Sequence, residues 1–369
     1  MKISRTTYRG CLLGMAVGDA MGYTVDSRSW AEIREDYGPN GLLGYDLVNG
    51  YADITSYTQL AAFTVNGALL GLTRGQMTGK MAPLVKYIGL AGREWAASQR
   101  PWGRPERTFC WLLHQPEICR RHCMDTRMLE TLSQDPGRGM GTPETPLNSY
   151  DTPGSLSAAI GVALVGDPER ISQEETDWLG AESVALSHGS PAAYLTGAAL
   201  THLMSRVLQN PNAPLSSAVK DTIETMKNRF GHRYSQVFEV CTNLQYALTV
   251  GPNQDLDPVT VMERLRCKTA PQVLAGAVYA CLRSGLDFDN AMITAVNHSG
   301  RSAAVGAIAG AIQGARLGEE TLPEFYVECL EPADLLRELA DDLFHGCPME
   351  KGNRLFDLDW DRKYLHGGR

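Results

Sequence analysis

Long apolar runs are missing from the 369-residue sequence, and the longest, Ala303 to Ile312, holds 10 residues. A membrane-crossing helix needs about 20, so neither a membrane span nor a membrane partner is expected. A basic surplus is missing too: 34 Lys and Arg face 42 Asp and Glu, a formal net charge of -8. That balance argues against a nucleic-acid surface, while a local pocket can still hold phosphate. Alternating β-branched runs are scarce, which removes the main signal for sheet. The sequence holds no phosphate-loop or dinucleotide fingerprint, and no Ser/His/Asp or Cys/His nucleophile arrangement stands out. The nine cysteines are scattered and odd in number, which fits reduced thiols in a cytoplasmic protein better than a disulfide framework. Asp19 interrupts the apolar run that follows the basic N-terminus, and no cleavage site follows it, so no signal peptide is expected. The cluster of His114, Cys119, His122 and Cys123 has CxxxC spacing without a second ligand pair, and reads as a helix carrying thiols rather than a zinc site.

What is present is ordinary globular composition, 43% hydrophobic and 21% charged, with apolar residues at three-and-four spacing. Helices are expected over Thr6–Met21, Thr58–Leu72, Met81–Ser98, Leu156–Val165, Asp177–Leu186, Pro191–Leu208, Leu215–Arg229, Pro258–Leu265, Ala270–Arg283, Asp289–Val296, Ser302–Leu317 and Ala333–Leu343. The expected fold is all-α, a compact single-domain helical bundle spanning residues 1–369. Gln99 to Ser155 is the least regular stretch, and its Asp135–Ser155 part is rich in Gly, Pro, Ser and Thr. It reads equally as a functional loop or as a solvated insertion.

Gly10, Gly14, Gly18 and Gly22 fall four apart, as do Gly306, Gly310 and Gly314. Each set lies in one row on its helix. An interior helical glycine costs about 1 kcal/mol relative to alanine, and close approach of another backbone is the compensating return. Both helices are expected at the centre of the molecule.

The same segments carry a resemblance. RGCLLGMAVGDAMGYTVDSRSWAEIREDYG (Arg9–Gly38) resembles the Gly-rich opening of the ADP-ribosylglycohydrolase family. TAPQVLAGAVYACLRSGLDFDNAMITAVNHSGRSAAVGAIAGAIQGARLG (Thr269–Gly318) resembles its C-terminal signature, and LNSYDTPGSLSAAIGVAL and LSHGSPAAYLTGAAL match more loosely. The resemblance spans about residues 9–318 and implies an all-α fold with a central cleft, leaving 319–369 as a helical tail on the outside. It further implies two magnesium ions in that cleft, hydrolysis of a glycosidic bond to ADP-ribose, and nucleotide or ADP-ribosylated protein partners.

The magnesium carboxylates that the resemblance implies are not there. The family's Thr-Asp-Asp-Thr-Gln reads Thr55, Ser56, Tyr57, Thr58, Gln59, and its Gly-Asp-Thr-Asp-Thr reads Gly300, Arg301, Ser302, Ala303, Ala304. Neutral groups and one guanidinium replace four carboxylates, so no metal cofactor is expected. Asp26 lies where some family members place an acid; it reads either as a lone general base or as a cap for the helix that Ser29 and Glu32 announce. Arg301 reads as a diphosphate clamp or as a partner of Asp26, and Tyr57 as a stacking platform or as a plug for the vacated metal space. Thr55, Ser56, Asn148, Asp151, His298 and Ser302 complete the expected ligand-binding set, with His298 equally readable as a core residue and His188 as structural. Three uses follow: a degenerate member that binds ADP-ribose or a related nucleotide, a metal-independent hydrolase built on Asp26, or a structural or partner-binding protein.

Overall fold

The first helix starts where the sequence provides a cap. Ser4 Oγ accepts the Thr7 N–H at 3.1 Å, and α1 (Arg5–Tyr23) follows. The computed structural model describes residues 3–100, 108–134, 137, 139–167, 170–349 and 357–368. After α1 come α2 (Trp30–Tyr37), α3 (Ser56–Thr78), α4 (Leu84–Ser98), α5 (Thr126–Leu132), α6 (Ala158–Val165), α7 (Gln173–Ala185), α8 (Pro191–Gln209) and α9 (Leu215–Phe230). The order continues with α10 (Val237–Val250), α11 (Pro258–Leu265), α12 (Ala270–Ser284), α13 (Phe288–Val296), α14 (Ser302–Leu317), α15 (Glu324–Glu328), α16 (Ala333–His345) and α17 (Leu358–Tyr364). Among the described residues there is no strand beyond two isolated bridges, Val48 with Tyr51 and Ala52 with Leu330. The all-α expectation holds.

Helices α1 and α14 lie antiparallel at the centre, and the two glycine rows face each other. A methyl on Gly10, Gly14 or Gly18 would overlap the carbonyl oxygen of Gly314, Gly310 or Gly306, and one on Gly22 would overlap that of Ser302. The backbones therefore touch with no side chain between them, and α16, α13 and α12 pack against the pair. Every residue from Cys11 to Met15 and from Ala303 to Gly314 is buried.

Several boundaries depart from the sequence reading for local reasons. Ser29 and Glu32 form the capping box of α2, so the cap there is Ser29 and not Asp26. A second box, Ser172 with Glu175, starts α7 four residues ahead of the expected Asp177. Helix α10 is absent from the sequence reading: its buried face, Val237, Val240, Cys241, Leu244 and Ala247, is diluted by Thr and Val residues of low helix propensity. Residues 319–349 and 357–368 are not an external appendage. Leu336, Leu339 and Tyr364 are fully buried, and Asp341 of α16 accepts Arg9 Nη2 of α1 at 2.7 Å.

The described part of the irregular 99–155 segment is likewise no solvated insertion. Trp111, Leu112, Leu113 and Met128 are buried, and Asp125 caps α5 by accepting the Arg127 N–H at 3.0 Å. Residues 101–107, 135, 136 and 138 of it lie outside the described set. Cys119 Sγ donates to the Leu112 carbonyl and Cys123 Sγ to that of Asp125, while His122 Nδ1 lies 3.0 Å from the Ile54 carbonyl.

Candidate functional site

The amino termini of α3 and α14 converge beside the turn that follows α1. Asp19, on the last turns of α1, is fully buried and sits under α3. Its carboxylate accepts the Thr55 N–H (2.9 Å), Thr55 Oγ1 (2.6 Å), the Thr58 N–H (3.0 Å) and Thr58 Oγ1 (2.6 Å). Burial pushes the Asp19 carboxyl up, and these four donors pull against it. Thr55 is thereby the cap of α3, committed to the helix.

Asp26 does the equivalent work for α14. Its Oδ1 accepts the Ala303 N–H at 3.0 Å, and its Oδ2 accepts the Ser27 hydroxyl at 2.9 Å. Arg301 Nε stands 3.6 Å from the same Oδ2, with the Asp26 side chain 4% exposed and that of Arg301 27%. Burial raises the Asp26 pKa; the Arg301 charge, the Ala303 N–H and the Ser27 hydroxyl oppose the rise. The turn is tight enough to hold Ser27 at φ +62°, in the left-handed region.

Arg301 bridges this turn to the 120–125 segment. Its Nη2 donates to the Met124 carbonyl at 2.6 Å and its Nη1 to Ser27 Oγ at 3.4 Å. The segment is stapled to α3 by two bonds, from the Ser56 N–H to the His122 carbonyl (2.9 Å) and from the Met124 N–H to Ser56 Oγ (3.0 Å). Tyr57, in the first turn of α3, is 1% exposed beside the guanidinium. Burial drives its hydroxyl pKa up. The Tyr57 hydroxyl and Arg301 Nε are both buried, the hydroxyl facing the guanidinium and Nε facing the Asp26 carboxylate beyond hydrogen-bond distance.

Next to this pair stands a line of polar groups that the sequence did not reveal. Asp125 Oδ2 accepts Thr152 Oγ1 at 2.5 Å and lies 3.4 Å from His188 Nε2, while His188 Nδ1 lies 2.8 Å from Ser155 Oγ. Burial pushes the Asp125 carboxyl up, yet His188, Thr152 and the Met128 N–H outweigh it and hold the carboxyl below the usual range. The order Ser155, His188, Asp125 is that of a nucleophilic triad, but Ser155 is 2% exposed and its hydroxyl also lies against the Val184 carbonyl, leaving no face for a substrate.

The remaining expected site residues divide. Ser56 and Ser302 are fully buried at the helix starts, Ser56 holding the Met124 N–H and Ser302 Oγ lying 3.4 Å from the His298 carbonyl. His298 is a core residue: Nε2 meets the Ala295 carbonyl at 2.9 Å, Nδ1 accepts the Gly300 N–H at 2.9 Å, and burial pushes its pKa down to about 4. Asn148 is spent on its own loop, donating to Thr131 Oγ1 and the Ser187 carbonyl and accepting the Tyr150 and Gly189 N–H groups. Asp151 is exposed, and its carbonyl accepts the Ala270 N–H at 2.9 Å. The structure thus gathers Asp26, Tyr57, Arg301, Ser56 and Ser302, adds the Met124 carbonyl and Asp125, and leaves Asn148 and His298 holding the scaffold.

With the geometry in view, three comparisons bear on the chain. The family model of ADP-ribosylglycohydrolase matches residues 2–353, beyond the 9–318 that the sequence motifs suggested. An uncharacterized protein of Archaeoglobus fulgidus is 25% identical over 338 residues, 91% of this chain and 95% of that one. A solved structure described as an ADP-ribosylglycohydrolase-related protein complex superposes with a TM-score of 0.53 at 20% identity, covering 93% of this chain and 98% of its own, a likeness of fold. The chain belongs to the ADP-ribosylglycohydrolase family.

Proposed function

We propose that this chain keeps the family scaffold without the dinuclear magnesium chemistry, and that the site between α3 and α14 takes ADP-ribose or a related nucleotide. The observation that carries the reading is Arg301, a guanidinium still 27% exposed at the meeting of two helix N-termini, with the buried Tyr57 packed beside it. A partly exposed guanidinium suits an oxygen-rich anionic ligand, and both helix ends favour negative charge. A divalent cation does not fit this donor set. Magnesium needs oxygen ligands in octahedral array; here a methyl group stands at Ala303, a guanidinium at Arg301 and a phenol at Tyr57. Of the site's two carboxylates, Asp26 already serves the Ala303 N–H, the Ser27 hydroxyl and Arg301, and Asp125 serves Thr152, His188 and the start of α5.

Asp26 is equally ill placed as a general base. It is 4% exposed, and a proton taken up there would break its attraction to Arg301. The second reading is a scaffold role, favoured by the bonds that Arg301 already makes to Met124 and Ser27. The reduced thiols, with no disulfide among the nine cysteines, suit the cytoplasm.

Calorimetric titration of ADP-ribose in EDTA, repeated with excess magnesium, separates these readings. Saturable binding in EDTA that magnesium leaves unchanged and Arg301→Ala removes is the expected result. No heat under either condition favours the scaffold, and binding only with magnesium overturns the account of the metal site.

A further inference from the structure

A cavity lies at the far end of α14, where the charges do not balance. A cavity of about 300 Å³ opens between the end of α8, the start of α9 and Arg316, with Val207 and Leu215 on its apolar wall and Arg206, Asn210 and Asp221 at its polar side. Asp221 accepts Arg206 Nε at 2.6 Å and faces His202 Nε2 at 3.2 Å. The buried Asp177 behind it answers the other face of His202 at 2.8 Å and Arg229 at 2.8 Å. Two carboxylates are thus shared among Arg206, Arg229 and an imidazole, and none is left for Arg316.

Arg316 is held in place without being neutralised. Its Nη1 donates to the Gly285 carbonyl at 2.8 Å and to Gln313 Oε1 at 3.0 Å. Its Nε is buried without an acceptor, and no carboxylate lies within ion-pair distance of it among the described residues. Burial lowers its pKa, as expected for a guanidinium removed from water without a counter-charge.

We propose that this cavity binds a small organic carboxylate with an apolar body, its carboxylate on the Arg316 guanidinium and its hydrocarbon against Val207 and Leu215. A planar guanidinium fixed at one nitrogen is suited to a carboxylate. The volume stands at the lower end of ligand pockets and matches a single small molecule. The site is separate from the one at the N-terminus of α14, so it stands or falls independently of the nucleotide reading.

Calorimetry and methyl NMR on the full chain test it, with benzoate and hexanoate as probes, benzamide as the neutral isostere of benzoate, and inorganic phosphate as an anion without an apolar body. The expected result is saturable benzoate and hexanoate binding that shifts the Val207 and Leu215 methyl signals, with benzamide and phosphate each weaker by about tenfold or more. Arg316→Gln should weaken benzoate by a similar factor, and Ala213→Phe, which fills the cavity from its loop with Arg316 intact, should abolish it. Equal binding of benzamide overturns the charge assignment, equal binding of phosphate the apolar half, and no saturable benzoate binding, or full binding in Ala213→Phe, the site itself.

Discussion

Asp19 and Asp26 are two carboxylates of similar burial with different consequences. Asp19 is satisfied by four donors and faces no cation among its hydrogen-bond partners, so replacing it by alanine strands the Thr55 and Thr58 N–H groups at the start of α3. A loss of about 3 kcal/mol or more is expected in urea unfolding of Asp19→Ala. Asp26 also holds a cation. Asp26→Asn should cost about 1–3 kcal/mol, because Arg301 then loses its ion-paired carboxylate while keeping its bonds to Met124 and Ser27. The double variant Asp26→Asn with Arg301→Leu should recover part of that loss, and a double variant no more stable than the single one would contradict the pairing. The polar line from Ser155 to Asp125 was hidden in the sequence for a simple reason. Asp125 and His188 stand 63 positions apart, and nothing local in either segment announces the other. The substituted motif positions at Tyr57 and Arg301 were legible because a short motif fixes its own register; the Met124 carbonyl that receives Arg301 was not, since any residue has a carbonyl.

At the level of elements, the glycine rows set how closely α1 and α14 pack. Gly310→Ala would force a methyl against the Gly14 carbonyl, and backbone cannot yield as a side-chain tip can. A loss of about 3 kcal/mol or a failure to fold is expected. Gly92→Ala on α4 provides the contrast, for a methyl there meets only the Leu132 side chain at 3.6 Å. It should be neutral or stabilising by up to about 1 kcal/mol, and thermal melting of the two variants checks both. The spacing of the glycines made two central helices readable; that each is the other's partner required the three-dimensional arrangement. Helix α10 escaped because half-buried helices rich in Val and Thr look much like loops or strands, whereas α2 was legible through Ser29 and Glu32 alone.

Over the whole molecule, one charged cluster ties the end of the chain to its beginning. Arg5 and Arg9 of α1 converge on Asp341 of α16, and Arg9 and Arg337 converge on Glu319. The hydrogen bond from Arg5, joined by Arg9, holds the Asp341 carboxyl well below the usual range, against the opposing push of burial. A carboxyl whose folded pKa is depressed stabilises fully above its unfolded pKa of about 3.9 and loses that contribution as pH falls through the folded value. Asp125 is depressed in the same direction. Stability should therefore decline below about pH 4, and Asp341→Asn should shrink the decline while lowering the plateau at neutral pH. A pH series of urea midpoints reads both, and an unchanged slope in the variant would remove Asp341 from the account.

The contact between α1 and α14 also poses a problem of registration. Glycines at every fourth position make a ladder with identical rungs. Sliding α14 by one turn would set Gly314, Gly310 and Gly306 against Gly14, Gly18 and Gly22, as many glycine pairs as the native alignment has. The number of glycine pairs does not tell the two apart. The choice falls to the ends, where Asp26 takes the Ala303 N–H at one extremity and Thr6 Oγ1 takes the Glu319 N–H at the other, at 3.0 and 3.1 Å. Asp26 then serves less as a chemical group than as a detent, the stop that fixes which rung meets which.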